Sequence, residues 1–245
     1  MLLKSVSATT LVSIAIFGNA ASAQTGPVPA QTAPYNEENW RTASSDEEGG
    51  GAMIHLKSGA ICVEKFRELA LNDVRDYTPD GTNSSCQHSA MTEAGMTRLT
   101  TYFYTYPGIT GQQEFVNARS AISQIAERTA TEVTERSDDA KRCHAAIAPR
   151  LAQAVAANDA VDAVPSASGE PAATFGFGLA MYDLDTPAAG DRAARKETSV
   201  LLVYQFEDWV VKVRATAPHA NDGDFTACNL AGLSASAQAS VLGSS

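Results

Sequence analysis

Three tyrosines on one predicted strand are the first candidates for a functional surface. Residues 98–106 are rich in threonine and aromatic residues, which favour extended structure. Successive side chains of a strand point to opposite faces, so Tyr102, Tyr104 and Tyr106 share one face. Phenol rings with polar ends suit the recognition of a protein partner or a sugar. The alternative is an ordinary sheet face covered by a helix.

Two basic residues on the last predicted strand are candidates for binding an anion. Lys212 and Arg214 are two residues apart, so their side chains point the same way. We expect them to contribute to a ligand site together with the three tyrosines. The alternative is a solvated face on which both cations pair with neighbouring carboxylates.

The histidines do not form a recognised catalytic motif. The sequence contains no Gly-x-Ser-x-Gly elbow and no histidine with a serine or cysteine partner at a familiar spacing. We therefore assign no catalytic residue. A hydrolase of an unfamiliar type, with His55, His88 or His144 as its general base, is the alternative.

Metal and cofactor motifs are not recognised either. The pairs Cys86/His88 and Cys143/His144 lack the loop spacings of zinc sites. The Gly-x-Gly at 176–178 continues as a strand where a dinucleotide site needs a third glycine and a helix. The sequence predicts no metal and no cofactor.

The first 23 residues have the three parts of a secretory signal peptide. Lys4 precedes an apolar stretch, and the small residues 21–23 follow it. The stretch is shorter than the roughly 20 apolar residues that a membrane-spanning helix needs. We predict cleavage after Ala23 and a periplasmic or secreted protein without stable membrane insertion.

Four cysteines in an exported chain predict disulfide bonds. Three pairings are possible. We favour Cys62 with Cys86, because both lie in the same strand-rich region. The same interpretation pairs Cys143 with Cys228, which would join a central helix to a C-terminal one.

Composition divides the rest of the chain into two parts. Residues 24–51 are rich in Pro, Gly, Ser, Thr and acidic residues, and we interpret them as a disordered linker. Residues 52–245 are long enough for one domain with its own core. Because the formal net charge is −10, the surface repels phosphate backbones, and nucleic acid is not an expected partner.

Extended and helical patterns occur in separate blocks. The patterns predict strands at 53–63, 66–77, 98–106, 174–184 and 199–215. They predict helices at 115–133, from Ser137 to 155 with a kink or a break at Pro149, and at 225–241. The last helix is expected to bury Leu230, Leu233, Ala237 and Val241. This order predicts an α+β fold, in which helices cover an antiparallel sheet.

The last predicted hairpin also carries a family resemblance. Residues 200–218 contain an apolar strand and the stretch EDWVVKVRATAP, and a terminal helix follows. This segment resembles the closing part of uncharacterised exported bacterial α/β proteins, and it is loosely similar to the PsbP and Mog1-like group. The resemblance implies an α/β sandwich with a binding or assembly role, and it transfers no catalytic residue.

These features together predict an exported, soluble, non-enzymatic protein. It would bind an unidentified protein or small-molecule partner on one face of its sheet. Besides the hydrolase, the other alternative is a passive component of the cell envelope.

Overall fold

The computed structural model describes residues 35–43, 51–162, 177–219 and 223–242. The predicted signal peptide, its cleavage site and most of the predicted linker lie outside these ranges. No helix within the ranges is long and apolar enough to cross a membrane.

The described chain folds into eleven strands and three α-helices. In chain order, a short 3₁₀ helix (Glu37–Asn39) is followed by β1 (Trp40–Ala43), β2 (Ala52–His55), β3 (Ile61–Val63), β4 (Lys65–Phe66), β5 (Leu69–Asp76), β6 (Asn83–Thr92), β7 (Gly95–Tyr104), α1 (Gly111–Thr129), β8 (Glu132–Glu135), α2 (Ser137–Asp162), β9 (Phe177–Thr186), β10 (Arg195–Phe206), β11 (Trp209–Pro218) and α3 (Gly223–Ala239). The larger sheet has the order β4-β5-β6-β7-β11-β10-β9-β8, and every neighbouring pair is antiparallel. The predicted α+β class is therefore confirmed.

A small sheet includes part of the predicted linker. Strand β1 pairs with β2, and β2 pairs with β3. Trp40 is buried in the core against Phe103, with ring centroids 5.7 Å apart. The prediction that the folded domain begins at residue 52 therefore needs a correction. The burial of Trp40 keeps this part of an otherwise polar segment in the fold.

Helices cover both faces of the large sheet. One face carries the alternating side chains Arg98, Tyr102, Lys212 and Arg214, and we call it the arginine face. Helix α1 packs on this face, where Ala118 and Ile122 form a core with strands β9 to β11. Helices α2 and α3 and the small sheet pack on the opposite face.

Close packing of α1 depends on a glycine. Gly178 in β9 lies directly under Phe115, and a β-carbon there would meet the ring at 2.5 Å. The helix ends at Thr129, and its cap residue Ala130 adopts a left-handed conformation with φ 51°. Val133 therefore belongs to the edge strand β8 rather than to the predicted helix, although it still packs against the same core.

The other two helices differ from their sequence predictions in detail. Helix α2 runs from Ser137 to Asp162 as one helix with Pro149 inside it, so of the predicted kink or break the break is not present. Helix α3 buries Leu230 as predicted, but Ala237 is exposed, and Leu233 and Val241 are half-buried. Apart from Leu230, its buried apolar residues are small, namely Ala227, Cys228, Ala231, Ala235 and Ala239.

Both predicted disulfide bonds are confirmed. Cys62 and Cys86 join β3 to β6 with Cα atoms 5.7 Å apart. Cys143 and Cys228 join α2 to α3 with Cα atoms 5.9 Å apart. The first bond holds the small sheet against the large one, and the second holds together the two helices of the opposite face.

Candidate anion-binding site

A cavity of about 320 Å³ lies between α1 and the arginine face, and we call it the arginine pocket. Its polar floor comes from the strands and consists of Gln87, Arg98, Thr100, Tyr102, Arg195, Glu197, Arg214 and Thr216. Its other walls include the apolar side chains Ile122, Ile125, Ala126, Val133 and Leu184, with Thr129, Thr131 and Thr186. The strand residues share one face because alternate residues of adjacent strands are in register, as the pairs Arg98/Thr216 and Thr100/Arg214 show.

One carboxylate in the pocket binds two arginines. Glu197 accepts from Arg98 Nη2 at 2.8 Å through Oε1, and its Oε2 lies 3.3 Å from Arg195 Nε. The Glu197 side chain is only 8% exposed, whereas that of Arg98 is 34% exposed and that of Arg195 is 56% exposed. The carboxylate is therefore fully engaged, and both arginines extend toward solvent at the pocket.

Arg214 holds its charge in the pocket without an ion pair among the described residues. Its Nε donates to Ser199 Oγ at 3.3 Å, which is a long contact to a neutral group. Burial is the main cause that lowers the pKa of Arg214, and the positive charge of Arg98 acts in the same direction, whereas Tyr102 and the more distant Glu197 oppose this shift without reversing it. The pocket lining thus contains three guanidinium groups and one carboxylate, so it carries an excess of positive charge.

Lys212, unlike Arg214, forms an ion pair with a carboxylate. Its Nζ donates to Glu114 Oε1 at 2.8 Å, and it lies 4.9 Å from the ring centroid of Tyr102 and 5.3 Å from that of Tyr104. Glu114 is in the first turn of α1, next to the cap Thr110, where a carboxylate also interacts favourably with the helix dipole. The pair fastens α1 to the sheet. Lys212 therefore pairs with a carboxylate, as the alternative interpretation expected, but beneath a helix and not on a solvated face.

The three tyrosines have different surroundings in the structure, although the rings of Tyr104 and Tyr106 stay close, with centroids 5.7 Å apart. Tyr102 lines the arginine pocket and stacks on Tyr77, and burial raises its pKa. Tyr104 lies on the same face but is buried beside Glu114, and burial raises its pKa as well. Strand β7 ends at Tyr104, so Tyr106 lies beyond it, where its hydroxyl bonds Asn83 Nδ2 at 2.5 Å.

Of the five predicted ligand residues, the structure therefore brings Tyr102 and Arg214 together in a cavity. Sequence reasoning missed Arg98, Glu197 and Arg195. For Arg98 a signal was present, because it alternates with Tyr102 on the strongest predicted strand. For Glu197 no local signal existed, since its partner Arg98 is 99 residues away in the chain.

The predicted catalytic bases do not face a common cleft. His55 bonds Ser58 Oγ at 2.8 Å through Nδ1, but both residues are fully buried under an aromatic cage of Trp40, Phe103 and Trp209. Burial lowers the pKa of His55 to about 4. A substrate would have no access to this pair without local unfolding.

His88 and His144 have structural surroundings. His88 Nε2 lies 2.7 Å from the Val63 carbonyl oxygen, and this nitrogen donates because a carbonyl can only accept. Burial lowers the pKa of His88. The exposed ring of His144 stacks on Phe177 with centroids 4.1 Å apart.

A fourth histidine, His219, contacts a carboxylate at the edge of a groove of about 330 Å³. Its Nδ1 lies 3.5 Å from Asp183 Oδ1 and 3.1 Å from Thr198 Oγ1. The same carboxylate oxygen accepts from Thr198 at 3.2 Å and lies 3.4 Å from Arg136 Nη1, so the cluster is an internally satisfied network. In the part of the chain that the structure describes, no three His, Cys, Asp or Glu side chains are grouped as a metal site requires.

No protein-family model matches the chain, and no curated protein shows significant sequence similarity to it. The function proposed below is therefore inferred from the geometry of the arginine pocket.

Proposed function

We propose that this chain is an exported, non-enzymatic binding protein that holds a small anion in the arginine pocket. The single observation that carries the proposal is Arg214, a half-buried guanidinium in the pocket with no carboxylate ion-pair partner among the described residues. A charge that is largely removed from water is costly unless an opposite charge or several hydrogen bonds compensate it. A bound anion supplies both.

The chemistry of the floor supports an anion over a neutral ligand. A guanidinium offers parallel donors that match the two oxygens of a carboxylate or of an oxyanion. Thr100, Thr216 and Tyr102 add hydroxyl groups to the same lining. Because a protein of net charge −10 repels anions over most of its surface, a pocket with excess positive charge selects where an anion can bind.

Export rests on two features of the chain. The disulfide bonds are of the kind that persists in oxidising compartments, and the first 23 residues have the pattern of a signal peptide. Both support a periplasmic or secreted location. A ligand-binding role in that location also agrees with the binding or assembly role that the family resemblance implies.

Titration calorimetry on the mature protein, with both disulfides formed, tests the proposal. The probes are sodium acetate, phosphate and sulfate at low ionic strength. We expect at least one of them to bind with a single site, and Arg214→Gln to weaken that binding by about tenfold or more. Arg150→Gln, which removes an exposed charge on α2 at the opposite face, is the matched control and should leave affinity unchanged.

A folding defect is separable from a binding defect. Arg98→Gln removes a second guanidinium from the pocket, and Arg214→Lys retains the charge but loses the parallel donors. Each should weaken binding while the circular dichroism spectrum stays that of the wild type. Binding that is equal in Arg214→Gln, Arg98→Gln and wild type would overturn the proposal, and so would the absence of binding to all three probes, which would favour a passive envelope component.

A further inference from the structure

We infer that the ligand is an amphiphilic monocarboxylate, with an acidic head on an apolar body. This inference rests on the proposed function and names its ligand class. It follows from the way in which the arginine pocket is divided into two chemically different sides.

One side of the pocket is mainly apolar, although three threonines also contribute to it. Ile122, Ile125 and Ala126 come from α1, and Val133 and Leu184 come from β8 and β9. Ile125 remains 42% exposed although it follows the helical spacing of a core residue. Inorganic phosphate or sulfate would bind at the guanidinium floor and leave the exposed surface of Ile125 and Val133 in contact with water, whereas a hydrocarbon body would cover it.

The charge of the floor favours a single carboxylate head. Glu197 already engages Arg98 and Arg195, which leaves Arg214 as the guanidinium without a carboxylate among the lining side chains. One carboxylate can bind one guanidinium through two parallel hydrogen bonds. A headgroup with several negative charges would meet Glu197 as well, and repulsion would oppose it.

The size of the pocket limits the body of the ligand. Its volume of about 320 Å³ is at the lower end of the range of about 300 to 1,000 Å³ for small-molecule sites. A short acyl chain or a single aromatic ring fits this volume. A nucleotide or an oligosaccharide would extend far outside it.

A chain-length series tests the inference. Acetate, butyrate, hexanoate and octanoate are titrated into the mature protein at fixed pH and ionic strength, below the concentration at which octanoate forms micelles. Each buried methylene should raise affinity by about fourfold until the pocket is full. Octanol, which has the chain without the charge, should bind at least about tenfold more weakly than octanoate.

Two variants on the same helix make the test specific. Ile125→Ser should flatten the dependence on chain length and leave the affinity for acetate unchanged. Val116→Ser is the matched control, because Val116 is also exposed on α1, at 48%, but does not line the pocket. It should leave the whole series unchanged.

The outcomes distinguish this inference from the proposed function. If acetate binds and depends on Arg214 but longer chains bind no better, the amphiphile is wrong and the anion site stands. If octanoate binds equally well to wild type and Arg214→Gln, binding is hydrophobic only and both are wrong. If no carboxylate binds while phosphate does so through Arg214, the ligand is an inorganic or phosphorylated anion and the inference fails alone.

Discussion

Glu114 on α1 and Lys212 on β11 form a largely buried ion pair, with Oε1 and Nζ 2.8 Å apart. The two residues are 98 positions apart in the sequence, and their side chains are 11% and 24% exposed. The pair fixes the start of α1 on the arginine face. Because α1 also forms the apolar side of the arginine pocket, the pair sets the position of that wall.

Lys212→Met should destabilise the protein by about 3 kcal/mol, because it leaves the Glu114 carboxylate buried without its partner. Urea unfolding measures this change. The control is Glu135→Gln in the exposed pair with Arg119, where the loss should be below about 1 kcal/mol. Equal losses of stability in the two variants would show that the Glu114–Lys212 pair stabilises the protein no more than an exposed ion pair does.

Lys212→Met also separates the two roles that the sequence allowed for this lysine. If Lys212 only holds α1, the affinity for acetate should fall much less than in Arg214→Gln. An equal loss of affinity in both folded variants would place Lys212 in the binding site.

The two disulfides should contribute unequal amounts to stability. On the chain-entropy account, closing a loop of 85 residues with Cys143–Cys228 contributes about 4.6 kcal/mol, and closing 24 residues with Cys62–Cys86 contributes about 3.5 kcal/mol. Denaturant unfolding of the two double Cys→Ser variants measures these values. Four reactive thiols on unfolded, unreduced protein would contradict the presence of both bonds.

His55 should make the protein less stable in mild acid. Its pKa is about 4 in the folded protein and about 6.5 in an unfolded chain, because burial disfavours the charged ring. Between these values the unfolded chain binds a proton that the folded protein does not, so the free energy of unfolding falls as the pH drops from 6.5 toward 4. The contribution of His55 to this fall is about 3 kcal/mol.

The pH effect is checked in two ways. NMR titration of the His55 ring should give a midpoint below pH 5, and a midpoint near 6.5 would refute the argument. Urea unfolding at pH 7 and pH 4.5 should show a smaller loss for His55→Phe than for wild type, since phenylalanine has no proton to gain and suits the surrounding aromatic rings.

Asp76 should hold the segment before residue 52 in the fold. Its carboxylate accepts from Trp40 Nε1 at 3.0 Å, Ser84 Oγ at 2.6 Å, Asn39 Nδ2 at 3.1 Å and the Asn36 backbone at 2.9 Å. Burial alone would raise the pKa of Asp76, but these donors outweigh burial and lower it. Asp76→Asn replaces one of the two acceptor oxygens by an NH2 donor that faces other donors. This should lower the free energy of unfolding by about 2 to 4 kcal/mol.

Limited proteolysis measures the same effect locally. In Asp76→Asn, cleavage between residues 35 and 51 should become markedly faster than in wild type. Asp80→Asn, at an exposed turn nearby, is the control and should stay within about twofold of the wild-type rate. Equal rates in wild type and Asp76→Asn would mean that Asp76 does not anchor the segment.

Strand β6 was not predicted from the sequence, and the types of its buried residues explain why. Its inward residues Ser84, Cys86 and His88 are small or polar, so the strand has no apolar alternation to detect. They are buried because each has a specific partner, namely the Asp76 carboxylate, the Cys62 sulfur and the Val63 carbonyl. None of these partners is adjacent in the chain.

Local sequence patterns predicted the α+β class, the hairpin of β10 and β11 and the shared direction of Lys212 and Arg214. Of the three possible cysteine pairings they favoured the one that the structure contains. The ion pair between Glu114 and Lys212 and the position of Arg214 at a cavity depend on the tertiary structure. The register of strands far apart in the chain and the placement of α1 over them fix which charges meet, and local spacing does not encode either one.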